Sequence, residues 1–264
     1  MSSYTNAPKQ LIMLSGKGGT GKTSISAAFA HLASLSFPDS APVLVDADVD
    51  AANLSLVLQP HNSESHEFWG GSLAEINPEL CSDCGSCAQV CRYNAVLPDP
   101  LREGVRWIDP IACDGCAACV YACPTQAIAM QPQQEGNWFS SETAYGRLLH
   151  AELFAGKENS GKLVTLIKQH ARLHGEDTQA ALLLIDGPPG IGCPVISACA
   201  GTQLGLIITE PGLAGIHDMK RVLGVLEHFH VPTLICINKA DLYPQGSAEI
   251  RAFAAQAGIA VLGE

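Results

Sequence analysis

Eight cysteines stand in two runs that share the spacing C-x-x-C-x-x-C-x-x-x-C. The first run is "CSDCGSCAQVC", from Cys81 to Cys91, and the second is "CDGCAACVYAC", from Cys113 to Cys123. The flanking residues agree as well, since "INPEL" precedes the first run and "IDPIA" precedes the second. This agreement indicates an internal duplication. Three thiols at two-residue gaps can wrap one face of an iron–sulfur cubane, and the fourth, one helical turn further on, can reach a second cluster.

A glycine-rich stretch near the N-terminus has the pattern of a phosphate-binding loop. "GKGGTGKT" fits G-x-x-x-x-G-K-[ST] and stands between a strand-like stretch and a helix-like one. Glycines allow backbone N–H groups to curl around phosphate oxygens. Lys22 would add positive charge at the β and γ phosphates, and the Thr23 hydroxyl would reach Mg²⁺. The nucleotide-binding residues predicted from this loop are Gly16, Lys17, Gly18, Gly19, Thr20, Gly21, Lys22 and Thr23.

Three further stretches carry polar residues at the ends of apolar runs. "VDADVDAAN" contains Asp46 and Asp48, "LIDGPPGIG" contains Asp186 and Gly190, and "INKAD" contains Asn238. In a parallel sheet, the carboxyl ends of the strands meet at one edge, where ligands bind. A solvated acidic turn is the alternative interpretation for Asp48.

The elements that must position these residues alternate between strands and helices. Strand-like apolar runs occur at 10–16, 42–48, 181–190, 204–211 and 232–241. Helical periodicity occurs at 23–35, 162–175 and 217–230. This order predicts an α/β fold with a parallel doubly wound sheet.

The middle of the chain has a different composition. From 70 to 134 it is rich in Cys, Pro, Asp and Gly and has little helical periodicity. We therefore expect the sheet domain in two parts, 1–69 and 135–264, with an inserted domain at 70–134. The stretch between the cysteine runs reads as a turn and a strand, with Trp107 in the core of the insertion.

Composition bounds the cellular setting. The 264 residues carry a formal net charge of -11, which argues against a general nucleic-acid surface and against an electrostatic membrane anchor. The N-terminus "MSSYTNAPKQ" lacks a basic region followed by an apolar stretch. Eleven cysteines without a secretory signal fit a reducing compartment, where thiolates bind metals. We expect a cytoplasmic protein with no nucleic-acid partner and no membrane partner.

The second lysine of the glycine-rich loop, Lys17, makes the sequence resemble the deviant Walker A ATPases, the MinD/ParA group. That group includes the nitrogenase iron protein and the Mrp-type iron–sulfur carriers. The resemblance implies a P-loop ATPase that binds ATP and Mg²⁺ as a homodimer with ATP at the interface, in which Lys17 reaches the nucleotide of the facing subunit. Chains of the group normally continue past "GIAVLGE" with a strand, a loop and a helix, so we expect this chain to be either naturally short or cut.

The same resemblance assigns roles to individual residues. The catalytic residues would be Lys17, Lys22, Asp48 and Asp186. Asp48 would orient the attacking water, with Asp46 beside it, and Asp186 would hold the Mg²⁺ shell. The Gly190 N–H would sense the γ-phosphate, and Asn238 would bind adenine.

The duplicated cysteine runs resemble the bacterial two-cluster ferredoxin, which implies two 4Fe-4S clusters in an inserted α+β ferredoxin-like domain. One cluster would be held by Cys81, Cys84, Cys87 and Cys123. The other would be held by Cys113, Cys116, Cys119 and Cys91. Zinc is the rival interpretation, but each run supplies too many close thiolates for one tetrahedral ion. Arg92 departs from the ferredoxin pattern, which usually has proline after the fourth cysteine.

The remaining cysteines, Cys193, Cys199 and Cys236, are expected to be ordinary buried thiols. Cys193 lies close to where the nitrogenase iron protein resemblance would place a ligand for a cluster shared between subunits. The second ligand should come from "GKENSGK" (156–162), which contains no cysteine. That polar stretch suits a dimer or partner contact, and a helix cap at Ser160 is the alternative.

Together these features predict ATP-coupled electron transfer. Nucleotide binding and hydrolysis would move the segment around Asp186 and Gly190 and change the exposure or docking of the clusters toward a redox partner protein. Two alternatives stay open. One is a carrier or scaffold that helps to mature another metalloprotein, and the other is a positioning ATPase whose clusters are structural or redox-sensing.

Overall fold

The computed structural model describes residues 7–157 and 160–264. The chain falls into two compact units. The larger consists of Met1–Glu67 and Gly136–Glu264, and the smaller is Phe68–Glu135. In the described part of the chain, no helix combines the length and the apolar character needed to cross a membrane.

Strands and helices alternate along most of the described chain. The strands are β1 (Lys9–Leu14), β2 (Val43–Asp46), β3 (His61–Ile76), β4 (Val96–Pro98), β5 (Arg106–Ile108), β6 (Ile128–Thr143), β7 (Gly146–Leu153), β8 (Leu182–Asp186), β9 (Leu204–Thr209), β10 (Thr233–Ile237) and β11 (Ala260–Gly263). The helices are α1 (Lys22–Ser36), α2 (Leu54–Leu58), α3 (Ser86–Val90), α4 (Ala118–Ala122), α5 (Ser160–Asp177), α6 (Cys193–Cys199), α7 (Leu213–His228) and α8 (Pro244–Ala257).

Within the described ranges, nine strands form one sheet in the order β11-β10-β9-β1-β8-β2-β7-β6-β3. Each neighbouring pair from β11 to β7 is parallel. The expected α/β architecture with a large, mostly parallel sheet is therefore confirmed. β6 runs antiparallel to β7, so this side of the sheet departs from the purely parallel arrangement that the sequence predicted.

The sequence does not predict β3, β6 or β7. β3 and β6 are long and rich in polar residues, and β6 contains Pro132 and Gly136, residue types that are depleted in strands. The two strands are neighbours in the sheet, and such pairing cannot be read from composition. Along the chain, β3 contains both Glu67 and Phe68, and β6 contains both Glu135 and Gly136. Each connection between the two units therefore lies within a strand.

The parallel part of the sheet is buried on both faces. On one face, Leu11 and Met13 of β1 pack in a cluster with Ala30 of α1. Side chains alternate between faces along a strand, so Ile12 points to the opposite face, and it is also fully buried. Strands covered on both faces are apolar throughout, which is why β1 and β8 could be predicted from the sequence.

The smaller unit packs two short helices, α3 and α4, and the antiparallel ladder of β4 and β5 around a small core. The buried residues of that core are Ala74, Cys87, Ala95, Val96, Ile108 and Ile128. The expectation that Trp107 lies in the core is wrong, because its side chain is 40% exposed. Ile108 takes the core-facing position of β5, and the neighbouring Trp107 therefore points to the other face.

The packing of α5 can be tested with two leucines of that helix. Leu163 is fully buried, whereas Leu173 is 42% exposed. Leu163→Ala removes buried methyl groups and leaves a cavity, so we expect the free energy of unfolding to fall by ~2–5 kcal/mol. Leu173→Ala is the matched control and should change it by less than ~0.5 kcal/mol. Urea unfolding followed by circular dichroism measures both values, and equal losses would contradict this placement of α5.

Candidate functional site

The glycine-rich loop lies between β1 and α1. Gly19 and Gly21 have positive φ angles of 79° and 88°, a conformation that favours glycine. A side chain at Gly21 would also overlap the amide nitrogen of Asn238. α1 begins at Lys22, so the unpaired N–H groups of a helix N-terminus follow the loop directly. The loop therefore has the backbone shape and the donors of a phosphate-binding site.

Asp186, at the end of β8, gathers the polar side chains of the first turns of α1. Its carboxylate accepts hydrogen bonds from Lys22 Nζ (2.8 Å), Thr23 Oγ1 (2.8 Å) and Ser26 Oγ (2.7 Å). Lys22 and Asp186 are both buried. The structure thus brings together three residues that the sequence placed in the site and adds Ser26, which sequence reasoning missed. The available signal was its position four residues after Lys22, on the same side of α1.

Asp46 lies beside Asp186 because β2 and β8 pair in register at these two residues. Asp46 is fully buried, and its carboxylate accepts the N–H groups of Leu54 (2.9 Å) and Asp48 (3.1 Å). Burial, and then the negative charge of Asp186, raise the pKa of Asp46 to about 7. Near neutral pH this carboxyl group is therefore close to half-protonated.

Asp48 follows β2 and is half-buried. Burial raises the pKa of its carboxyl group, while the charge of Lys22 opposes that shift. Asp48 therefore lies within electrostatic range of the loop lysine, as a residue that acts near the γ-phosphate would have to.

Lys17 forms an ion pair with Glu210, with 2.8 Å between Nζ and Oε2. Lys239 contacts the same carboxylate, and its Nζ also donates to the carbonyl oxygen of Gly19 (2.9 Å). Hydrogen bonds from Lys17 and then Lys239 lower the pKa of Glu210. Sequence reasoning missed Glu210, whose available signal was an acid directly after β9, at the sheet edge where β2 and β8 also end.

Asn238 follows β10, and its amide group is bonded within the chain. Its Nδ2 donates to the carbonyl oxygen of Thr20 (2.7 Å), and its Oδ1 accepts the N–H of Lys239 (3.0 Å). In this structure the side chain therefore fixes the phosphate loop, whereas the family resemblance assigned it to adenine. The Thr20 hydroxyl is buried and has no hydrogen-bond partner in the described part of the chain.

Gly190 lies in the loop after β8 with a positive φ of 87°. Its N–H donates to the carbonyl oxygen of Ser15 (3.0 Å), and the N–H of Gly187 donates to Met13 (2.9 Å). The amide expected at the γ-phosphate is thus bonded to the residue that precedes the phosphate loop. Binding of a γ-phosphate by Gly190 requires that bond to break.

The eight cysteines of the two runs line two cavities in the smaller unit. The first cavity is lined by Cys81, Cys84, Cys87 and Cys123. The second is lined by Cys91, Cys113, Cys116 and Cys119. Each set combines three cysteines of one run with the fourth cysteine of the other. This grouping is the one that the ferredoxin resemblance implies, while ligation itself stays a prediction.

The two runs have the same local backbone. The five-residue helices α3 and α4 end directly before Cys91 and Cys123. The Sγ atom of Cys91 accepts the N–H of Ala95, and that of Cys123 accepts the N–H of Ala127, both at 3.3 Å. Hydrogen bonds to a sulfur favour its charged thiolate form, which is the form that binds metal.

The arrangement of donors fits a cluster better than a single ion. Among the described residues, no three His, Cys, Asp or Glu side chains are placed as ligands of one metal ion. A tetrahedral zinc ion requires its sulfurs about 2.3 Å from one point, whereas a cubane is a larger object whose thiolates sit on its outside. Four thiols around the wall of each cavity meet the second requirement.

The expectation that Cys193 is a buried thiol is wrong, because this residue is exposed. It begins α6 directly after the loop that contains Gly190, and its neighbours at 191–192 are exposed too. Cys199 is buried, and burial raises the pKa of its thiol to about 11. Cys236 is half-buried. In "GKENSGK", residues 158–159 lie outside the described residues, so the proposed partner contact there has no structural account.

Comparison with known proteins identifies the family. The chain matches the CobQ/CobB/MinD/ParA nucleotide binding domain (CbiA) over residues 11–264. It is 37% identical over 239 residues to the uncharacterized protein MJ0578 of Methanocaldococcus jannaschii, which covers 90% of this chain and 81% of that protein.

Solved structures show the same fold at low sequence identity. The cell division ATPase MinD of Pyrococcus furiosus has a TM-score of 0.50 and 17% identity, over 92% of this chain and 78% of that one. An ATP complex of McdA from Cyanothece has a TM-score of 0.50 and 15% identity, over 97% of this chain and 82% of that one. The fold, the loop geometry and the match over residues 11–264 together show that the chain belongs to the CobQ/CobB/MinD/ParA family of P-loop nucleotide-binding ATPases.

Proposed function

We propose that the protein is an ATPase that couples ATP binding and hydrolysis to electron transfer through two 4Fe-4S clusters to a partner protein. Family membership supports the nucleotide half of this function. The observation that carries the other half is the grouping of eight cysteines into two cavities of four.

In the nucleotide site, the chain's own residues bind and orient the phosphates. Lys22 would contact the β and γ phosphates, while the Thr23 hydroxyl and Asp186 would hold Mg²⁺, which neutralises phosphate charge when bound. The Gly190 N–H would exchange Ser15 for the γ-phosphate. This exchange gives the loop after β8 two alternative bonding partners, as a nucleotide-dependent switch requires.

The proposed active form is a homodimer with ATP at the interface. Lys17 would reach the nucleotide of the facing subunit, and its side chain is 42% exposed in the single chain. Reaching across requires Lys17 to exchange Glu210 for a phosphate, that is, one anion for another. Because exposed ion pairs are worth only ~0–1 kcal/mol, Glu210 would position Lys17 without preventing that exchange.

In the smaller unit, the cysteine thiolates would hold two clusters, which supply one-electron carriers when bound. The N–H groups of Ala95 and Ala127 would stabilise the sulfurs of Cys91 and Cys123. Each of these cysteines lies in the cavity formed mainly by the other run, so the duplication would tie the two sites together.

The covalent path between the two halves is short. The Asp46 carboxylate holds the N–H of Leu54 at the start of α2. Only 59–60 separate the end of α2 from β3, and β3 runs on into the smaller unit. A change of charge beside Asp46 would therefore act on the segment that leads into the cysteine domain, which supports coupling between nucleotide and clusters.

The proposal is tested by an EPR redox titration without nucleotide, with ADP and with a non-hydrolysable ATP analogue. Linkage requires that a nucleotide which changes the reduction potential binds oxidised and reduced protein with different affinity. A tenfold difference in affinity corresponds to ~59 mV for a one-electron couple. Lys22→Ala is the control, because it should abolish both effects by weakening phosphate binding. Identical potentials and identical affinities in all states would contradict the coupling.

A second prediction concerns metal content. Anaerobically reconstituted protein should contain roughly eight irons and eight sulfides per chain, since each cavity offers the four thiolates of one cubane. Cys84→Ser should lower this content, whereas Cys193→Ser, at an exposed cysteine outside both cavities, should leave it unchanged. Iron and acid-labile sulfide assays measure both. Stoichiometric zinc in place of iron would overturn the cluster assignment.

A third prediction separates the roles of Lys17 and Asp48. Lys17→Ala should prevent the ATP-dependent dimer, because its charge would be missing from the facing site. Asp48→Ala should keep ATP binding and trap the dimer, with hydrolysis reduced by ~100-fold or more, because Asp48 acts on the water. Lys9→Ala, at an exposed lysine on β1, is the control. Sedimentation velocity with Mg-ATP measures the dimer, and normal dimerisation of Lys17→Ala would exclude its role across the interface.

A further inference from the structure

The two cysteine cavities correspond position by position. A shift of 32 residues, which takes Cys81 to Cys113, also takes the wall of the first cavity to that of the second. Ile76 thus corresponds to Ile108, and Ala127 corresponds in the reverse direction to Ala95. Because backbone and apolar walls match, any difference between the two sites must come from the few positions where the side chains differ in charge or polarity.

The first difference is charge. Arg106 lines the first cavity, and the corresponding position in the second is Ala74. Conversely, Asp114 lines the second cavity, and the corresponding position in the first is Ser82. The first site therefore has a cation in its wall, and the second has an anion.

The acid in the first cysteine loop does not cancel this difference. Asp83 is paired with Arg106, whose Nε lies 2.6 Å from Asp83 Oδ1, and the arginine side chain is only 26% exposed. The corresponding residue in the second loop is Gly115, and no ion pair involves Asp114 among the described residues. The loop charge is thus balanced at the first site and unbalanced at the second.

The second difference is hydrogen bonding to sulfur. At the first site, the Cys84 thiol donates to Ser86 Oγ (3.5 Å), and Cys123 Sγ lies 3.6 Å from Thr125 Oγ1. When the sulfur is a deprotonated ligand, the hydroxyl becomes the donor. The corresponding residues at the second site are Ala118 and Tyr93. Two hydroxyl groups therefore serve the sulfurs of the first site at positions where the second has none.

Both differences act in the same direction. Reduction adds one negative charge to a cluster, so a nearby cation and donors to its sulfurs raise the reduction potential, whereas a nearby anion lowers it. We propose that Arg106, aided by Ser86 and Thr125, makes the site of Cys81, Cys84, Cys87 and Cys123 the one of higher reduction potential. This inference rests on the proposed function. It goes beyond that function by giving electron transfer inside the protein a direction.

The internal step moves one electron and nothing else. The site of Cys91, Cys113, Cys116 and Cys119 is oxidised by one electron, and the site of Cys81, Cys84, Cys87 and Cys123 is reduced by one. No bond forms or breaks, and no proton moves. The second site is therefore where an electron donor protein delivers, and the first is where the electron resides before it leaves for the acceptor.

The test is an EPR-monitored redox titration of reconstituted protein with dithionite as the reductant. Arg106→Gln should shift the higher of the two midpoint potentials downward by about tenfold in the one-electron equilibrium, or ~59 mV, and leave the lower one in place. Arg106→Lys should restore most of that shift, because it keeps the charge. Arg102→Gln is the matched control, since Arg102 also lies between β4 and β5 but lines neither cysteine cavity.

Two further variants keep the test decisive if Arg106→Gln does not fold. Asp114→Asn should raise only the lower potential, by a smaller factor because Asp114 is exposed and screened by water. Ser86→Ala should lower only the higher potential. Shifts of the opposite assignment, or an effect of Arg106→Gln no larger than that of Arg102→Gln, would overturn the inference. Wild-type protein that binds no iron would overturn the proposed function, whereas iron-loaded protein with unchanged potentials would overturn this inference alone.

Discussion

The buried carboxylate pair of Asp46 and Asp186 is the constraint on which the nucleotide site depends. Parallel pairing of β2 and β8 sets the two residues side by side, and both are excluded from water. Two adjacent buried anions are costly unless a cation or a proton compensates them. Lys22 supplies the cation at Asp186, and the raised pKa of Asp46 supplies part of the proton. The start of α1 is therefore fixed to the end of β8 by charge as well as by the loop backbone.

The sequence predicts the parts of the fold whose evidence is local. The phosphate loop needs its glycines, Lys22 and Thr23 at fixed spacing, and strands buried on both faces are apolar throughout. Features that depend on distant pairing could not be predicted in this way. β3 and β6 are polar strands that are neighbours in the sheet, and the exposure of Trp107 and Cys193 depends on what packs beside them. Glu210 has no signal beyond its place after β9, because its role comes from Lys17 and Lys239, which are distant in sequence.

The cysteine domain shows the same division between local and distant information. The spacing of the two runs is enough to predict which cysteines group together. Comparing the runs also reveals that Ser86 corresponds to Ala118. Arg106 and Ala74, however, lie outside both runs, and only the fold brings them to equivalent places in the two cavities. A duplicated motif thus predicts two similar sites, while their difference depends on residues that the motif does not contain.

Both halves of the protein concentrate negative charge around a small number of cations. Lys22 compensates the carboxylates beside the phosphate loop, and Arg106 compensates Asp83 beside the first cysteine cavity. In the proposed function, each site then receives further negative charge, as phosphate in one case and as an electron in the other. A cation that is already paired can respond to the new charge by changing its partner or sharing its field. Because Lys22 sits on buried acids at the switch and Arg106 sits on a half-exposed pair, the first response involves rearrangement of the chain, whereas the second is mainly a shift in potential.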